Sequence, residues 1–263
     1  MKLEFQDAHF DYPGRPVLAG VSAVFEPGHL TAILGPNGAG KTTMLRLALG
    51  LLAPTRGTVT LAGRATHALS PGDRAASLVY VPQRADVAFA FTAREIVTLG
   101  LYAQRLPGPV QRRRVDEALT KADIADRADD VFGALSAGQQ QRVTLARALA
   151  QVGGGGDPRC VLADEPVSAM DPAHVLRAMR LLTEISKSHV VGVVLHDLPL
   201  VLQCASRVVL MGPAGKVVAA GPTLEAITES TLHAAFGIAF RAIPDPANPG
   251  QPVTFVSRDT LVA

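Results

Sequence analysis

One glycine-rich stretch limits the possible folds of this chain more than any other feature: Gly35-Pro36-Asn37-Gly38-Ala39-Gly40-Lys41-Thr42-Thr43. It matches the pattern G-x-x-x-x-G-K-[ST] at every fixed position. The apolar segment Leu30–Leu34 precedes it, and Met44–Leu49 after it is apolar on nearly every face. This order predicts a buried strand, a phosphate-binding loop and a buried helix, and makes every residue of the loop a candidate ligand-binding residue.

The residue types of this loop suit a phosphate group. Glycines allow successive backbone N–H groups to surround an anion, and the N-terminus of the following helix adds the positive end of its dipole. Lys41 can reach the β- and γ-phosphates of a nucleotide, and the hydroxyl of Thr42 can bind Mg²⁺. The motif alone predicts a nucleotide binder, a class that includes kinases, GTPases and many ATPases.

Two adjacent acids, Asp164 and Glu165, follow the apolar segment Cys160–Ala163. Ligands of open α/β sheets bind at the carboxyl ends of the strands, where these acids are expected. We expect Asp164 to hold Mg²⁺ through water, and Glu165 to orient the attacking water as a general base.

Composition narrows the class of protein. The chain has 263 residues, of which 48% are apolar and 18% charged, enough for one large domain or a domain with a subdomain. The net charge of +2 gives no reason to expect nucleic acid as a partner. No apolar run approaches the roughly 18 residues of a membrane span, and the N-terminus lacks the pattern of a signal peptide. Two cysteines define no disulfide framework. These features predict a cytosolic protein whose membrane role, if any, comes through a partner.

The chain reads as an α/β core with an inserted helical part. Alternating residues predict strands at Leu3–Phe5, Val21–Phe25 and Thr58–Leu61, and Val190–Leu195 reads as a strand buried on both faces. Further segments to note are a helical stretch with the solvated basic run Arg112–Arg114, a flexible connector at Gly153–Gly156 and a hairpin formed by Arg207–Met211 with Lys216–Ala220. We expect one domain over residues 1–240, with a helical subdomain at about 86–150, and an irregular proline-rich tail over 241–263.

The segment Leu135-Ser136-Ala137-Gly138-Gln139 resembles LSGGQ, the signature of the ATP-binding-cassette (ABC) family. Ala137 departs from the pattern at its most variable position. Ser136 and Gln139 also form an S-x-x-Q capping box at the start of a helix. The resemblance implies a P-loop ATPase core with an N-terminal antiparallel β subdomain and an inserted helical subdomain. It also implies that Ser136, Gly138 and Gln139 receive the ATP of a second copy.

Other motifs follow in the order of that family, over residues 1 to about 237. Tyr12 is similar to the aromatic residue that stacks on adenine, and Gln83 to the glutamine that contacts Mg²⁺. Asp171 ends Ser168-Ala169-Met170-Asp171, which resembles the D-loop SALD with Met170 as a departure. His196 matches the histidine that contacts the γ-phosphate. The family resemblance implies two copies arranged head to tail around two ATP molecules, each with Mg²⁺.

The resemblance extends to one group of importers. Phe89–Val97 is similar to the FPFTVxEVV segment of ATPases for iron-siderophore, haem and vitamin B12 uptake, and His196–Leu200 to their HDLNL, with Pro199 as a departure. The glycine-rich loop before the strand that ends in Asp164 and Glu165 is similar to the loop at this place in haem-importer ATPases. This implies a peripheral ATPase at the cytoplasmic face of the inner membrane, with integral membrane permease subunits as partners and, indirectly, a substrate-binding protein.

Three alternatives stay open. A stand-alone exporter motor shares these motifs. An ABC ATPase of DNA repair or translation needs a long coiled coil or a second cassette, neither of which is present. A nucleotide sensor without hydrolysis is expected to lose Glu165 or His196, and both are intact.

Overall fold

A computed structural model describes residues 1–85, 87, 89–153, 159–246 and 248–257. The strands are β1 (Leu3–Tyr12), β2 (Arg15–Phe25), β3 (Leu30–Leu34), β4 (Arg56–Leu61), β5 (Arg64–Ala65), β6 (Leu78–Val81), β7 (Cys160–Asp164), β8 (Val190–Val194), β9 (Arg207–Met211), β10 (Val217–Pro222), β11 (Phe240–Asp245) and β12 (Asn248–Ser257). The helices are α1 (Lys41–Ala48), α2 (Pro71–Ser77), α3 (Ala93–Leu99), α4 (Gly108–Lys121), α5 (Ala137–Val152), α6 (Pro172–Ser186), α7 (Leu198–Cys204), α8 (Thr223–Ala226) and α9 (Glu229–Phe236).

A central sheet with the strand order β10-β9-β3-β8-β7-β6 forms the middle of the molecule. Strands β6, β7, β8, β3 and β9 pair in parallel, and β10 pairs with β9 as the expected antiparallel hairpin. Parallel neighbours bring their carboxyl ends to the same edge of a sheet. The loops that follow β3, β6, β7 and β8 therefore meet at one edge.

A second, antiparallel sheet has the order β2-β1-β4-β5. It contains the predicted strands at Leu3–Phe5, Val21–Phe25 and Thr58–Leu61. The predicted fold class, a P-loop α/β core with an N-terminal antiparallel β subdomain and inserted helices, is confirmed. Strand β6 and helix α2 were not anticipated from the sequence.

Apolar side chains of the central strands alternate between two cores. On β7, Cys160 and Leu162 belong to the core shared with α1 and the antiparallel sheet. Val161 and Ala163 belong to the core shared with the helices on the other face. Burial on both faces explains why this strand is a continuous apolar run rather than an alternating one.

Helices α3, α4 and α5 lie between β6 and β7 in the chain, where the inserted helical part was expected. Thr92 begins α3 with a capping box that includes Glu95. The basic run Arg112–Arg114 lies on α4, where its first two residues are exposed. Asp86, near the expected start of this part, and residues 154–156 of the predicted glycine connector lie outside the described residues. Across the described ranges, no helix combines the length and the apolar character of a membrane span.

The expectation of an irregular tail over 241–263 is wrong for its described residues, 241–246 and 248–257. Strands β11 and β12 pair as an antiparallel hairpin, from Phe240 opposite Ser257 to Asp245 opposite Asn248. Phe240 packs edge-on against Phe236 of α9, with ring centroids 5.8 Å apart, and Phe255 is buried in the helical core. These tertiary contacts stabilise a hairpin that its prolines disfavour locally.

Candidate active site

Close packing and unusual backbone angles explain the glycines of the phosphate-binding loop. Gly35 and Gly40 have φ values of 154° and 93°, a region that favours glycine. A Cβ atom on Gly35 would lie 2.4 Å from the carbonyl oxygen of Met211, and one on Gly40 would lie 2.6 Å from Leu18 Cδ2. Replacing either glycine by alanine would therefore deform the loop between β3 and α1.

Lys41 opens α1 and is buried. Its Nζ donates hydrogen bonds to the carbonyl oxygens of Gly35 and Pro36, at 2.8 and 2.9 Å. Burial lowers the pKa of Lys41, while the charges of Glu165 and Asp164 oppose that change. No side chain caps the N-terminus of α1, and its first turn contains no acid. The start of α1 thus offers a cation and uncapped N–H groups to an anion.

Asp164, at the end of β7, is buried next to this loop. Thr42 Oγ1 donates to Asp164 Oδ2 at 3.1 Å. Burial raises the pKa of Asp164, and the charge of Glu165 adds to the rise, while the hydrogen bond from Thr42 and the charge of Lys41 oppose it. A bound divalent cation would lower the pKa of Asp164 again, because a nearby positive charge favours the ionised carboxylate.

The donor types here fit Mg²⁺. A hydroxyl from Thr42, a carboxylate from Asp164 and an amide oxygen from Gln83 are hard ligands, and Mg²⁺ commonly uses one or two carboxylates together with phosphates and waters. Within the described part of the chain, no cluster of three or more His, Cys, Asp or Glu side chains forms a metal cage. One hydroxyl, one carboxylate and one amide oxygen leave coordination positions that phosphate oxygens and waters can fill.

Glu165 follows β7, and its carboxylate contacts one residue in the loop after β6 and one in the loop after β8. Its Oε2 accepts a hydrogen bond from Gln83 Nε2, beyond β6, at 2.7 Å, and its Oε1 contacts His196 Nε2, beyond β8. The backbone N–H of Glu165 donates to the carbonyl of Val194 at 3.2 Å. Glu165 adopts φ 47°, a left-handed conformation that is rare for a residue with a side chain. The predicted Gln83, Glu165 and His196 thus meet in one cluster.

An open cleft of about 260 Å³ lies between the two sheets. It is lined by Tyr12, Arg15, Val17, Asn37, Gly38, Gly40, Lys41, Thr42, Thr43 and Glu165. The hydroxyl of Tyr12 accepts a hydrogen bond from Arg46 Nη1 at 3.0 Å. The ring of Tyr12 packs edge-on against the ring of Phe10, with the two centroids 4.9 Å apart. An aromatic ring held at one end of a phosphate-binding loop can stack on a nucleotide base.

The residues that resemble the LSGGQ signature lie at the start of α5. The capping box predicted for α5 is confirmed: Gln139 N donates to Ser136 Oγ at 3.4 Å, and Ser136 N donates to Gln139 Oε1 at 2.8 Å. Gly138 packs so closely on the segment after Glu165 that an added Cβ would lie 2.5 Å from the carbonyl oxygen of Ala169. Ser136, Gly138 and Gln139 are absent from the described lining of the cleft.

Asp171, the predicted D-loop residue, also lies outside the cleft lining. Its carboxylate caps α6 by accepting from the backbone N–H groups of Ala173 and His174, both at 3.1 Å. The structure thus brings together one group of predicted residues around the phosphate-binding loop, and separates Asp171 and the signature residues from it.

Two side chains near the site were missed from the sequence. Gln141 of α5 is buried, and its amide contacts the Glu165 carbonyl, Ser168 Oγ and Ala169 N. Arg46 of α1 donates to Tyr12. A glutamine on the apolar side of α5 was an available signal for the first, because buried polar side chains need partners.

A sequence model of the ABC transporter family matches residues 18–168. This span is more than half of the chain. The chain belongs to the ABC transporter family. The predicted family, fold and ATPase activity are confirmed, and ATP hydrolysis in this family is coupled to transport.

Relatives in the ABC family are similar along nearly the whole chain. A hemin import ATP-binding protein HmuV of Rhizobium meliloti is 41% identical over 239 residues, which cover 89% of this chain and 91% of that protein. The HmuV of Roseobacter denitrificans is 38% identical over 257 residues, 94% of each chain. A cobalamin import ATP-binding protein BtuD of Halobacterium salinarum is 35% identical and covers 97% of this chain and 63% of its own length.

Solved ABC structures share the fold. An inward-facing ABC transporter of the metal-chelate type has a TM-score of 0.79 at 24% identity and covers 99% of both chains. A dimeric bacterial ABC transporter cassette has a TM-score of 0.76 at 29% identity and covers 84% of this chain and 98% of its own.

Proposed function

We propose that this ABC ATPase energises the import of an iron chelate, haem or a ferric siderophore, through a membrane permease. The relatives named for hemin import support this function, and so does the resemblance of Phe89–Val97 and His196–Leu200 to importer segments. The cluster of Glu165 with Gln83 and His196 beside Lys41 and Asp164 is the observation that carries the ATPase part of the proposal. In this proposal Glu165 is the base, Lys41 the cation and Asp164 the metal-binding carboxylate.

These residues divide the work of hydrolysis. Lys41 exchanges its bonds to the loop carbonyls for the β- and γ-phosphates of ATP. Thr42, Asp164 and Gln83 would hold Mg²⁺, with Asp164 acting through water, and the ion would neutralise phosphate charge. Glu165 orients the attacking water and accepts its proton, while Gln83 and His196 hold the carboxylate in place.

Two copies arranged head to tail complete the site in this proposal. The cleft of one copy holds ATP on one side, and Ser136, Gly138 and Gln139 of the other copy close it. Ser136 is exposed at the start of α5, where the N-terminus of the helix can receive an anion from outside its own chain, and this supports the arrangement. ATP then acts as a ligand that favours the closed dimer.

Mixing of inactive variants tests the shared site. Lys41→Ala disables the phosphate-binding loop, and Ser136→Arg disables the helix start that faces the partner. A mixed dimer of the two contains one intact site, so we expect mixing to restore ATP turnover. Lys41→Ala mixed with Glu165→Gln is the control, because both defects lie on the same side of the site. Restoration in the control, or none in the test mixture, would contradict the head-to-tail dimer.

The permease is proposed to bind the exposed apolar side chains near α3. Phe89, Leu99 and Tyr102 are 75%, 51% and 84% exposed, more than apolar groups of this size usually are. In this proposal the ATPase is a peripheral subunit at the cytoplasmic face of the inner membrane. A substrate-binding protein on the opposite side is an indirect partner.

Transport by the complete complex tests the substrate. The chain and its permease would be reconstituted in vesicles and offered haem, a ferric siderophore and cobalamin in parallel assays. We expect ATP-dependent uptake of one iron chelate, which Glu165→Gln abolishes. Uptake of cobalamin alone would favour the function of the BtuD relatives, and outward movement would favour an exporter.

A further inference from the structure

His174, on the first turn of α6, lies between two carboxylates from distant parts of the chain. Its Nδ1 is 2.5 Å from Asp171 Oδ2, and its Nε2 is 3.2 Å from Asp123 Oδ2. The side chain of His174 is 26% exposed, less than either aspartate. The hydrogen bond from His174 lowers the pKa of Asp171 below the usual range of an aspartate.

Asp123 is the centre of a group of ionic contacts. It lies after α4 with a left-handed φ of 60°. Arg177 Nη1 of α6 is 3.1 Å from its Oδ1, and Arg142 Nη1 of α5 donates to its carbonyl oxygen. The turn after α4 is therefore tied both to α5 and to α6.

The ring of His174 completes this group whether it is neutral or charged. Its Nε2 lies 3.0 Å from Arg142 Nη1. A neutral ring with the proton on Nδ1 donates to Asp171 and accepts from Arg142, and a charged ring donates to Asp171 and Asp123. Both states connect Asp171 to the group around Asp123.

The segment 165–171, which begins with Glu165 and ends with Asp171, is thus held at both ends by neighbouring residues of α5. Gln141 donates to the carbonyl of Glu165 at 3.3 Å and accepts from Ala169 N at 2.9 Å. Arg142, the next residue, acts through His174 on Asp171. The same helix begins at Ser136.

We propose that His174 is a positioning residue for ATP hydrolysis. By joining Asp171 to the group around Asp123, it holds the segment 165–171 in a fixed position against α5. Glu165 and the start of α5 then move together rather than independently. The described side-chain contacts of His174 are with Asp171, Asp123 and Arg142, none of which belongs to the phosphate-binding loop, so we expect its loss to change turnover and to leave nucleotide affinity intact.

Three substitutions of His174 test its contact with Asp171 and its contact with Asp123 separately. His174→Ala removes both contacts. His174→Asn places an amide near the former Nδ1 and can retain the bond to Asp171, whereas His174→Gln places an amide near Nε2 and can retain the contact with Asp123. Asp126→Ala is the matched control, because Asp126 lies three residues from Asp123 and forms a surface ion pair with Arg127 instead.

ATP turnover and amide hydrogen exchange of the full chain test the proposal. We expect His174→Ala to lower kcat about three- to tenfold with an unchanged KM, a range typical of coupled residues. Amides of residues 168–170 should exchange faster, while those of the phosphate-binding loop keep their protection. His174→Asn and His174→Gln should each restore kcat only in part, and Asp123→Ala should add little to His174→Ala because the two act as a unit.

Several results would overturn the proposal. One is that His174→Ala leaves both kcat and the exchange of residues 168–170 at the level of Asp126→Ala. Another is full recovery by His174→Asn, which would reduce His174 to a local partner of Asp171. A third is equal loss of protection in the phosphate-binding loop, which would indicate general destabilisation. The exchange measurement gives an answer independent of the transported substrate.

Discussion

The Nε2 atom of Gln83 lies 2.7 Å from Oε2 of Glu165, although 82 residues separate the two in the chain. The contact crosses from the loop after β6 to the loop after β7, two parallel neighbours in the sheet. His196 contacts the other carboxylate oxygen from the loop after β8. The carboxylate of Glu165 is consequently fixed by groups whose positions depend on the sheet, a rigid element, rather than on the loops alone.

Replacement of this carboxylate tests its chemical role. Glu165→Gln keeps the shape of the side chain but removes its basicity, so we expect ATP turnover to fall about 100-fold or more. ATP binding should persist, and a stable dimer should form in the presence of ATP, as measured by gel filtration. The conservative His189→Asn can keep the hydrogen bond that Nδ1 of His189 accepts from Arg159 N, beside the opposite end of β8, and should leave turnover unchanged. Equal turnover in wild type and Glu165→Gln would remove Glu165 from the role of base.

The metal requirement depends on Thr42 and Asp164. Chelation with EDTA should abolish turnover, and Thr42→Ala or Asp164→Asn should raise the Mg²⁺ concentration for half-maximal activity about tenfold or more. Ser188→Ala, which removes an exposed hydroxyl far from the cleft, is the control for the loss of a hydroxyl. An unchanged Mg²⁺ titration in both variants would contradict the assignment of the site.

Close packing at Gly138 predicts a sharp size limit. Gly138→Ala would push a Cβ to 2.5 Å from the carbonyl oxygen of Ala169, so α5 and the segment 165–171 must separate. We expect a clear loss of turnover. Gly133→Ala is the matched control, because a Cβ added there would meet none of the described atoms within 4 Å. Comparable activity of the two variants would show that the contact is irrelevant to turnover.

Tyr12 provides a test of nucleotide stacking. Tyr12→Ala should raise the KM for ATP by about tenfold, because stacking of a base on an aromatic ring contributes about 1–3 kcal/mol. Tyr12→Phe keeps the ring and loses only the hydroxyl that accepts from Arg46, so its KM should stay near that of wild type. A change in Tyr12→Phe as large as in Tyr12→Ala would assign the effect to the hydroxyl.

The two cysteines should differ in reactivity. Burial raises the pKa of the Cys160 thiol to about 12, so at pH 8 this group stays protonated and covered. Cys204 is only partly buried. A thiol reagent should therefore label one cysteine of the folded chain and two after unfolding in guanidinium. Cys204→Ser should abolish labelling of the folded chain, and persistent labelling would place Cys160 within reach of solvent.

The sequence predicted those parts of the site in which neighbours in the chain carry the signal. The phosphate-binding loop lies between a strand and a helix, and Asp164 and Glu165 end a continuous apolar strand. These local patterns are sufficient because the chemistry and the secondary structure use the same residues.

Other features depend on contacts that no local pattern contains. His174 and Asp123 are 51 residues apart, and each reads alone as an ordinary polar surface residue. The C-terminal hairpin includes Pro244, Pro249 and Pro252, whose missing N–H groups disfavour strands, and its contacts with α7 and α9 arise only after folding. Strand β6 is apolar at all four positions and begins directly after α2, so neither alternation nor a turn residue marks it in the sequence.

The left-handed backbone of Glu165 has a consequence for the evolution of this chain. A conformation with φ 47° costs a residue with a side chain about 1 kcal/mol, and glycine would relieve it. Glycine suits this backbone conformation but cannot contact Gln83 or His196, so position 165 keeps its side chain at the expense of backbone strain. The acid is therefore retained for what its carboxylate contacts, and a variant that relaxes the backbone would also disconnect the loops after β6, β7 and β8.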